Sequence, residues 1–250
     1  MNVNIEYCNP FEKSKGSIWM KIEHCGRYLY ALDVLKQAEC YTVIDAACAI
    51  GYGTKILSSQ IKKVYGIDRN IEYLREAKRY NNAVNIEYQQ KDLDDHLVFD
   101  FITNTVDAVV CFETIEHVNN PMHLLSQIRS VLKKDGILLL SFPNIKYEKF
   151  DENGINKDPF HKSVFTIHEM RNMLIENGFH IELILGQGFP NLAYTLQHNI
   201  QKERNIPESS IDSLFNYDNE SICLMSRLYG YPQSHLINYT YSYIIKACKL

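Results

Sequence analysis

Short apolar runs recur along the chain, separated by longer stretches whose apolar residues repeat at helical spacing. Thr42–Asp45, Val64–Asp68, Asn85–Gln89, Asp107–Cys111, Ile137–Phe142, His180–Leu185 and Tyr241–Ala247 read as strands, each short and bounded by turn-forming or polar residues. The stretches between them read as helices. Asn70 can cap one that runs to about Tyr80, and Thr166 with Glu169 forms a capping box for another that ends near Asn177–Gly178. Leu124, Leu125, Ile128, Val131 and Leu132 share one helix face; Lys133, Lys134 and Gly136 then stand where cations and a closing glycine suit a helix end. This alternation predicts an α/β fold, a mostly parallel sheet with helices on both faces.

Two regions break the rhythm. Residues 1–40 form a prelude with a predicted helix from Ile22 to about Gln37, read as an N-terminal helical lid. Residues 187–238 separate the last two strands by about 50 positions, where an ordinary connection takes about 2–6. Gly188, Pro190, Pro207, Pro232 and many Tyr, Asn and Ser residues mark a partly helical insertion over one end of the sheet. It would serve substrate binding, contact between two copies of the chain in a homodimer, or surface elaboration alone. With no repeat or low-complexity tract, residues 1–250 read as a single domain.

Composition narrows the class. The 250 residues, 46% hydrophobic and 22% charged, suit one sizeable core. A formal net charge of −4 weighs against a dedicated nucleic-acid binder. The cysteines Cys8, Cys25, Cys40, Cys48, Cys111, Cys223 and Cys248 show no Cys-x-x-Cys spacing, which fits reduced thiols and a cytoplasmic setting. No apolar stretch approaches the ~20 residues of a membrane span, and polar Met1–Lys15 lacks a signal-peptide core.

Candidate chemistry begins where the first strand ends, in Val43-Ile44-Asp45-Ala46-Ala47-Cys48-Ala49-Ile50-Gly51-Tyr52-Gly53-Thr54. An acidic residue closes the strand, small residues follow, and Gly-x-Gly opens a helix. Small side chains let a ligand approach the backbone, and a helix start offers N–H groups. The second strand ends in Asp68-Arg69, and a carboxylate there can accept both hydroxyls of a ribose. The third is followed by Lys91-Asp92-Leu93, where a carboxylate could accept from an adenine amino group. Any one of these aspartates could be a helix cap instead, but three acidic strand ends in register are harder to explain that way. Hydride-transferring dinucleotide enzymes carry a further glycine after Gly-x-Gly; here Thr54-Lys55-Ile56 follows.

These residues resemble the first motif of the class I S-adenosylmethionine-dependent methyltransferases, roughly V-L-D-x-G-C-G-x-G-x-G, matched at Asp45, Cys48, Gly51 and Gly53. Ala47 and Ala49 stand where the family usually has glycine, an exchange that costs only a methyl group provided the backbone avoids positive φ. The resemblance covers about Arg27 to Leu185 and resumes at Thr240–Lys249. It implies a Rossmann-like, seven-stranded sheet with an insertion before the last strand, and S-adenosyl-L-methionine as cofactor. It further implies that Asp45, Ala46, Ala47 and Gly51 line the methionine end, Asp68 holds the ribose, Arg69 flanks the adenine and Asp92 reads its amino group. Leu93 and Cys111 belong to the same implied wall. Upstream, Glu23-His24-Cys25-Gly26-Arg27-Tyr28 resembles a family helix that lies across the cofactor. Arg27 would pair the methionine carboxylate, or else sit in an intrahelical charge pair.

After the fourth strand comes Glu113-Thr114-Ile115-Glu116-His117-Val118, and Pro159-Phe160-His161 precedes a later helix at the same sheet edge. Glu113, Glu116, His117 and His161 could together hold a divalent metal such as Mg²⁺ and acidify a bound hydroxyl. The run resembles ubiquinone-type O-methyltransferases and, in part, small-RNA 3′-terminal 2′-O-methyltransferases, whose second downstream histidine is replaced here by Lys162 and Ser163. Without a metal, His117 would be a general base, with Glu116 orienting its ring and His161 assisting. In a purely structural alternative, Glu116 and His117 would cap the next helix.

The expected function is methyl transfer from S-adenosyl-L-methionine to a hydroxyl, or an amine, of a small molecule or sugar conjugate. Two alternatives stand beside it: metal-dependent 2′-O-methylation of an RNA 3′ end, and a non-catalytic S-adenosylmethionine-binding module in which Ala47 and Ala49 mark a decayed site.

Overall fold

The apolar runs lie side by side. β1 (Thr42–Ala46), β2 (Lys63–Asp68), β3 (Ile86–Gln90), β4 (Val106–Phe112), β5 (Leu132–Pro143), β6 (Phe179–Gln187) and β7 (Ser242–Lys249) form one seven-stranded sheet in the order β3-β2-β1-β4-β5-β7-β6. The computed structural model describes residues 9–12, 17–100, 105–154, 156–207 and 218–250. β7 runs antiparallel to both its neighbours, and the remaining pairs are parallel.

Because successive side chains on a strand face opposite ways, the buried strands feed two cores. Ile44, Ile67, Val109 and Leu138 pack with Leu125 and Ile128 of α4 (Pro121–Val131) and with Met170 and Leu174 of α5 (Ile167–Glu176). Their strand neighbours Val43, Val64, Val110 and Leu139 pack with Ala31 and Leu35 of α1 (Ile18–Gln37) and Leu57 of α2 (Tyr52–Ser58). The expected caps are present. Asn70 accepts from the Glu72 N–H at the start of α3 (Ile71–Tyr80), and Thr166 and Glu169 make the reciprocal box on α5. α1 begins earlier than the predicted Ile22, where the Ser17 hydroxyl accepts from Met20 N.

One predicted helix end is corrected. α4 stops at Val131, and Lys133, Lys134 and Gly136 already belong to β5; Asp135, at φ 60°, takes the left-handed turn assigned to Gly136. Pairing decides this: Leu132 aligns with Val106 of β4, and Lys133 Nζ sits 2.7 Å from Asp107.

The insertion is helical, comprising α6 (Phe189–Arg204), α7 (Asn219–Met225), a π-type turn at Ser226–Gly230 and a 3₁₀ turn at Ser234–Tyr239. It folds back onto α1. A Cβ on Gly26 would stand 2.3 Å from the Gly230 carbonyl oxygen, so both positions need glycine for the backbones to meet. α1 and the insertion therefore form one cap beside the sheet edge where β1–β4 end. Residues 1–8, with Cys8, and 13–16 of the expected lid lie outside the described residues, as do 208–217 of the insertion. Among the described residues, no helix is long and apolar enough to cross a membrane.

Candidate active site

Two cavities open where β1–β4 end. The smaller, about 330 Å³, is walled by Asp68 and Arg69 at the end of β2, by Asp92 and Leu93 after β3, and by Thr114 and Val118 after β4. Asp68 Oδ2 accepts from Ala49 N at 2.9 Å and Oδ1 from Asn70 N at 2.8 Å. These bonds orient the carboxylate, and each oxygen keeps a second lone pair. Burial outweighs the two N–H donors and raises the Asp68 pKa above its ordinary value.

The glycine-poor turn departs from the sequence expectation. Ala47 (φ 59°) and Ala49 (φ 47°) both occupy the left-handed region, where an L side chain costs about 1–2 kcal/mol. The missing glycines are therefore a stored strain, not a mere extra methyl. Ala47→Gly and Ala49→Gly should each stabilise the fold by about 0.5–1 kcal/mol after the glycine's greater unfolded-state entropy is subtracted. A rise in the urea midpoint at unchanged slope checks this; a fall would show that the methyl contacts outweigh the strain.

Asp45, Ala46, Gly51 and Cys111, expected in the cofactor wall, line neither cavity. Asp45 lies fully buried beneath the floor, accepting from Thr54 Oγ1 at 2.6 Å and Tyr28 Oη at 2.9 Å. Burial pushes its pKa up to about 7 against the pull of those two hydroxyls. Its place is to tie α1 and α2 to the end of β1.

The larger cavity, about 550 Å³, lies between the sheet edge and the cap. Arg27 crosses it almost fully buried, with Nε donating to Gln187 Oε1 at 2.9 Å and its terminal nitrogens 3.6 Å from Glu23 and 3.4 Å from Glu113. The anticipated intrahelical pair with Glu23 therefore exists, and Arg27 also faces the cavity. His24 beside it is driven down to about 3 by burial and by Arg27, and so is neutral. Glu113, at φ 45°, accepts from Ser141 Oγ at 2.7 Å and Ser242 Oγ at 3.1 Å, which holds it on the Arg27 side.

Glu116 and His117 sit on a 3₁₀ turn, Ile115–His117. His117 Nδ1 lies 2.9 Å from the Phe160 carbonyl; a carbonyl only accepts, so Nδ1 carries the proton and Nε2 of the neutral ring offers a lone pair. His161 Nδ1 stands 3.0 and 3.1 Å from the two Glu148 carboxylate oxygens and donates there by the same reasoning. The two rings are 5.0 Å apart, and Glu116 Oε1 lies 3.8 Å from His117 Nε2. Burial, with Glu113 nearby, pushes the Glu116 carboxyl well above the usual range.

One ligand-capable atom from each of Glu116, His117 and His161 lies within 4.8 Å of the others. Glu113 stands outside this group, so the four-residue metal set expected from sequence reduces to three. The purely structural role falls to another residue, since Asn120 caps α4 by accepting from His123 N at 3.0 Å. Glu148 and Gln187, which hold His161 and Arg27, were missed by sequence reasoning; neither lies in a motif, and only the fold brings them in.

The methyltransferase domain family matches residues 44–140. The chain is 34% identical over 106 residues to the ubiquinone biosynthesis O-methyltransferase of Glaesserella parasuis, covering 41% of this chain and 45% of that one. It is 28% identical over 148 residues to a probable S-adenosylmethionine-dependent methyltransferase of Mycolicibacterium smegmatis, covering 58% and 54%. It thus spans about half the length of these curated relatives. The S-adenosylmethionine dependent methyltransferase from Mesorhizobium loti shares the fold, with a TM-score of 0.56 at 15% identity over 89% of this chain and 98% of that one. The domain match, the relatives and the sheet topology agree that residues 44–140 carry a methyltransferase domain, similar to those of S-adenosylmethionine-dependent methyltransferases.

Proposed function

We propose that this protein transfers the methyl group of S-adenosyl-L-methionine to a hydroxyl or amine of a small molecule or sugar conjugate. One observation carries the reading: the two cavities meet at Ala47, Ala49, Glu113 and His117, so a ligand anchored at Asp68 reaches the histidines. The residues present fit such a cofactor. Asp68 offers acceptor oxygens for a ribose diol and Asp92 one for an exocyclic amine, while Leu93 and Val118 give apolar faces for a flat ring. At the far end Glu113 and Arg27 face an amino acid's opposite charges, although Arg27 already shares its own between Glu23 and Glu113. Once bound, the cofactor supplies a methyl activated by its sulfonium.

The chain supplies the rest. α1 and the insertion cap the larger cavity against water and hold the acceptor near His117. Nε2 of His117 takes the acceptor's proton, and His161, fixed by Glu148, assists. Calorimetry with S-adenosylhomocysteine tests the reading. Micromolar binding is expected, weakened about 10–100-fold in Asp68→Asn, the loss expected for charge-assisted hydrogen bonds to a carboxylate. No binding at millimolar concentration would end it.

A further inference from the structure

The insertion is held to α1 by an apolar contact that contains two cysteines. Ile18, Ile22, Cys25 and Leu29 of α1 pack with Ile222 of α7, and Cys223 and Met225 lie against the same cluster. Cys25 is fully buried, Cys223 is partly open to solvent, and both are free thiols. Their side chains are hydrogen-bonded to each other across the α1–α7 interface. A disulfide needs two side chains that point at one another, and this contact supplies that.

The methyl-transfer site makes no use of the pair, since neither residue lines either cavity. Its chemistry also differs from that of the other described cysteines. Burial raises the pKa of Cys40, Cys48, Cys111 and Cys248, and a nearby carboxylate raises each further. Cys223 is shifted down, to about 7, by the Cys25 thiol first and by the Arg227 guanidinium, against the effect of burial. The same contact, together with burial, drives Cys25 up, so Cys25 keeps the proton that the two sulfurs share. At neutral pH a partly exposed thiolate therefore rests beside a buried protonated thiol. The thiolate is the attacking form in disulfide exchange.

We propose that Cys25 and Cys223 form a reversible disulfide that staples the insertion to α1, made by exchange with a small disulfide such as oxidised glutathione. The Cys223 thiolate attacks one sulfur of oxidised glutathione, a new S–S bond forms, and glutathione leaves as its thiolate. That thiolate takes the Cys25 proton. The Cys25 sulfur then attacks the sulfur of Cys223, and the second glutathione leaves as a thiolate that solvent protonates. Two protein thiols are oxidised, and one glutathione disulfide is reduced to two thiols. The proposal needs only the fold and is independent of the methyl-transfer reading. Its consequence reaches the site, because Arg27, two residues beyond Cys25, faces the larger cavity.

Peptide mapping on the full chain tests this. The protein is equilibrated with oxidised glutathione at pH 7, alkylated with iodoacetamide, digested without reduction and read by mass spectrometry. Peptides linked through Cys25 and Cys223 are expected, and dithiothreitol should separate them. Cys25→Ala should instead retain one glutathione on Cys223, and Cys223→Ser should leave Cys25 reduced. In the linked protein, amide exchange in α7 should slow by about tenfold while β4 is unchanged. A glutathione adduct that persists on Cys223 in the parent chain would overturn the proposal, as would a pair that stays reduced, a link that forms only in urea, or another cysteine as the partner. Should Cys25→Ala fail to fold, the map of the parent chain still decides.

Discussion

His117→Ala should lower kcat by about 10²–10⁴-fold, the range typical for loss of a positioned general base. The structure explains why this residue and not its neighbour carries the effect. His117 lines both cavities, so its ring stands where cofactor and acceptor meet, whereas His161 lines only the larger one. The Phe160 carbonyl fixes the tautomer that leaves Nε2 able to take a proton. Affinity for S-adenosylhomocysteine should change by no more than about threefold, because Asp68 and its backbone donors are untouched. The defect should also shrink as pH rises. An amine acceptor loses its proton to solvent at high pH, and the enzyme then needs no base. A variant with near-normal turnover at neutral pH would remove the base assignment, and a defect independent of pH would leave His117 a positioning role only.

Much of this site was legible because its signals are local. Strand positions follow from apolar runs, and Asp68 at the end of β2 and Asp92 just past β3 both line the smaller cavity. Asn70 and Thr166 cap their helices through bonds to residues two and three positions away, so the capping pattern stands in the sequence itself. What stayed hidden depends on contacts made far along the chain. Glu148 reaches His161 and Gln187 reaches Arg27 only after β5, β6 and the cap are assembled. The sign of φ at Ala47 and Ala49 is likewise a property of the closed turn, where Cys48 N donates to Ile67 O and Ala49 N to Asp68. The apolar period of α4 continues through Leu132, so periodicity alone overran the helix; pairing with Val106 ended it.

Arg27→Met should destabilise the fold by about 3–5 kcal/mol, the cost of removing one partner from a buried charge cluster. Arg27 is 3% exposed, and its guanidinium is the cation set between Glu23 and Glu113. A methionine of similar length fills the volume but leaves two carboxylates in a poorly solvated space. The loss is therefore electrostatic more than steric. Chemical unfolding at pH 7 measures it. A second substitution, Glu23→Gln on the Arg27→Met background, should recover part of the loss, because one of the stranded charges is gone. Were Arg27 purely a ligand for the cofactor's carboxylate, stability would change by less than about 1 kcal/mol while affinity fell. Loss of Arg27 should also separate α1 from the sheet energetically, because Arg27 joins this helix at once to Glu113 after β4 and Gln187 at the end of β6. With the tie broken, the cap over the acceptor cavity should loosen first, seen as faster amide exchange in α1 than in β4.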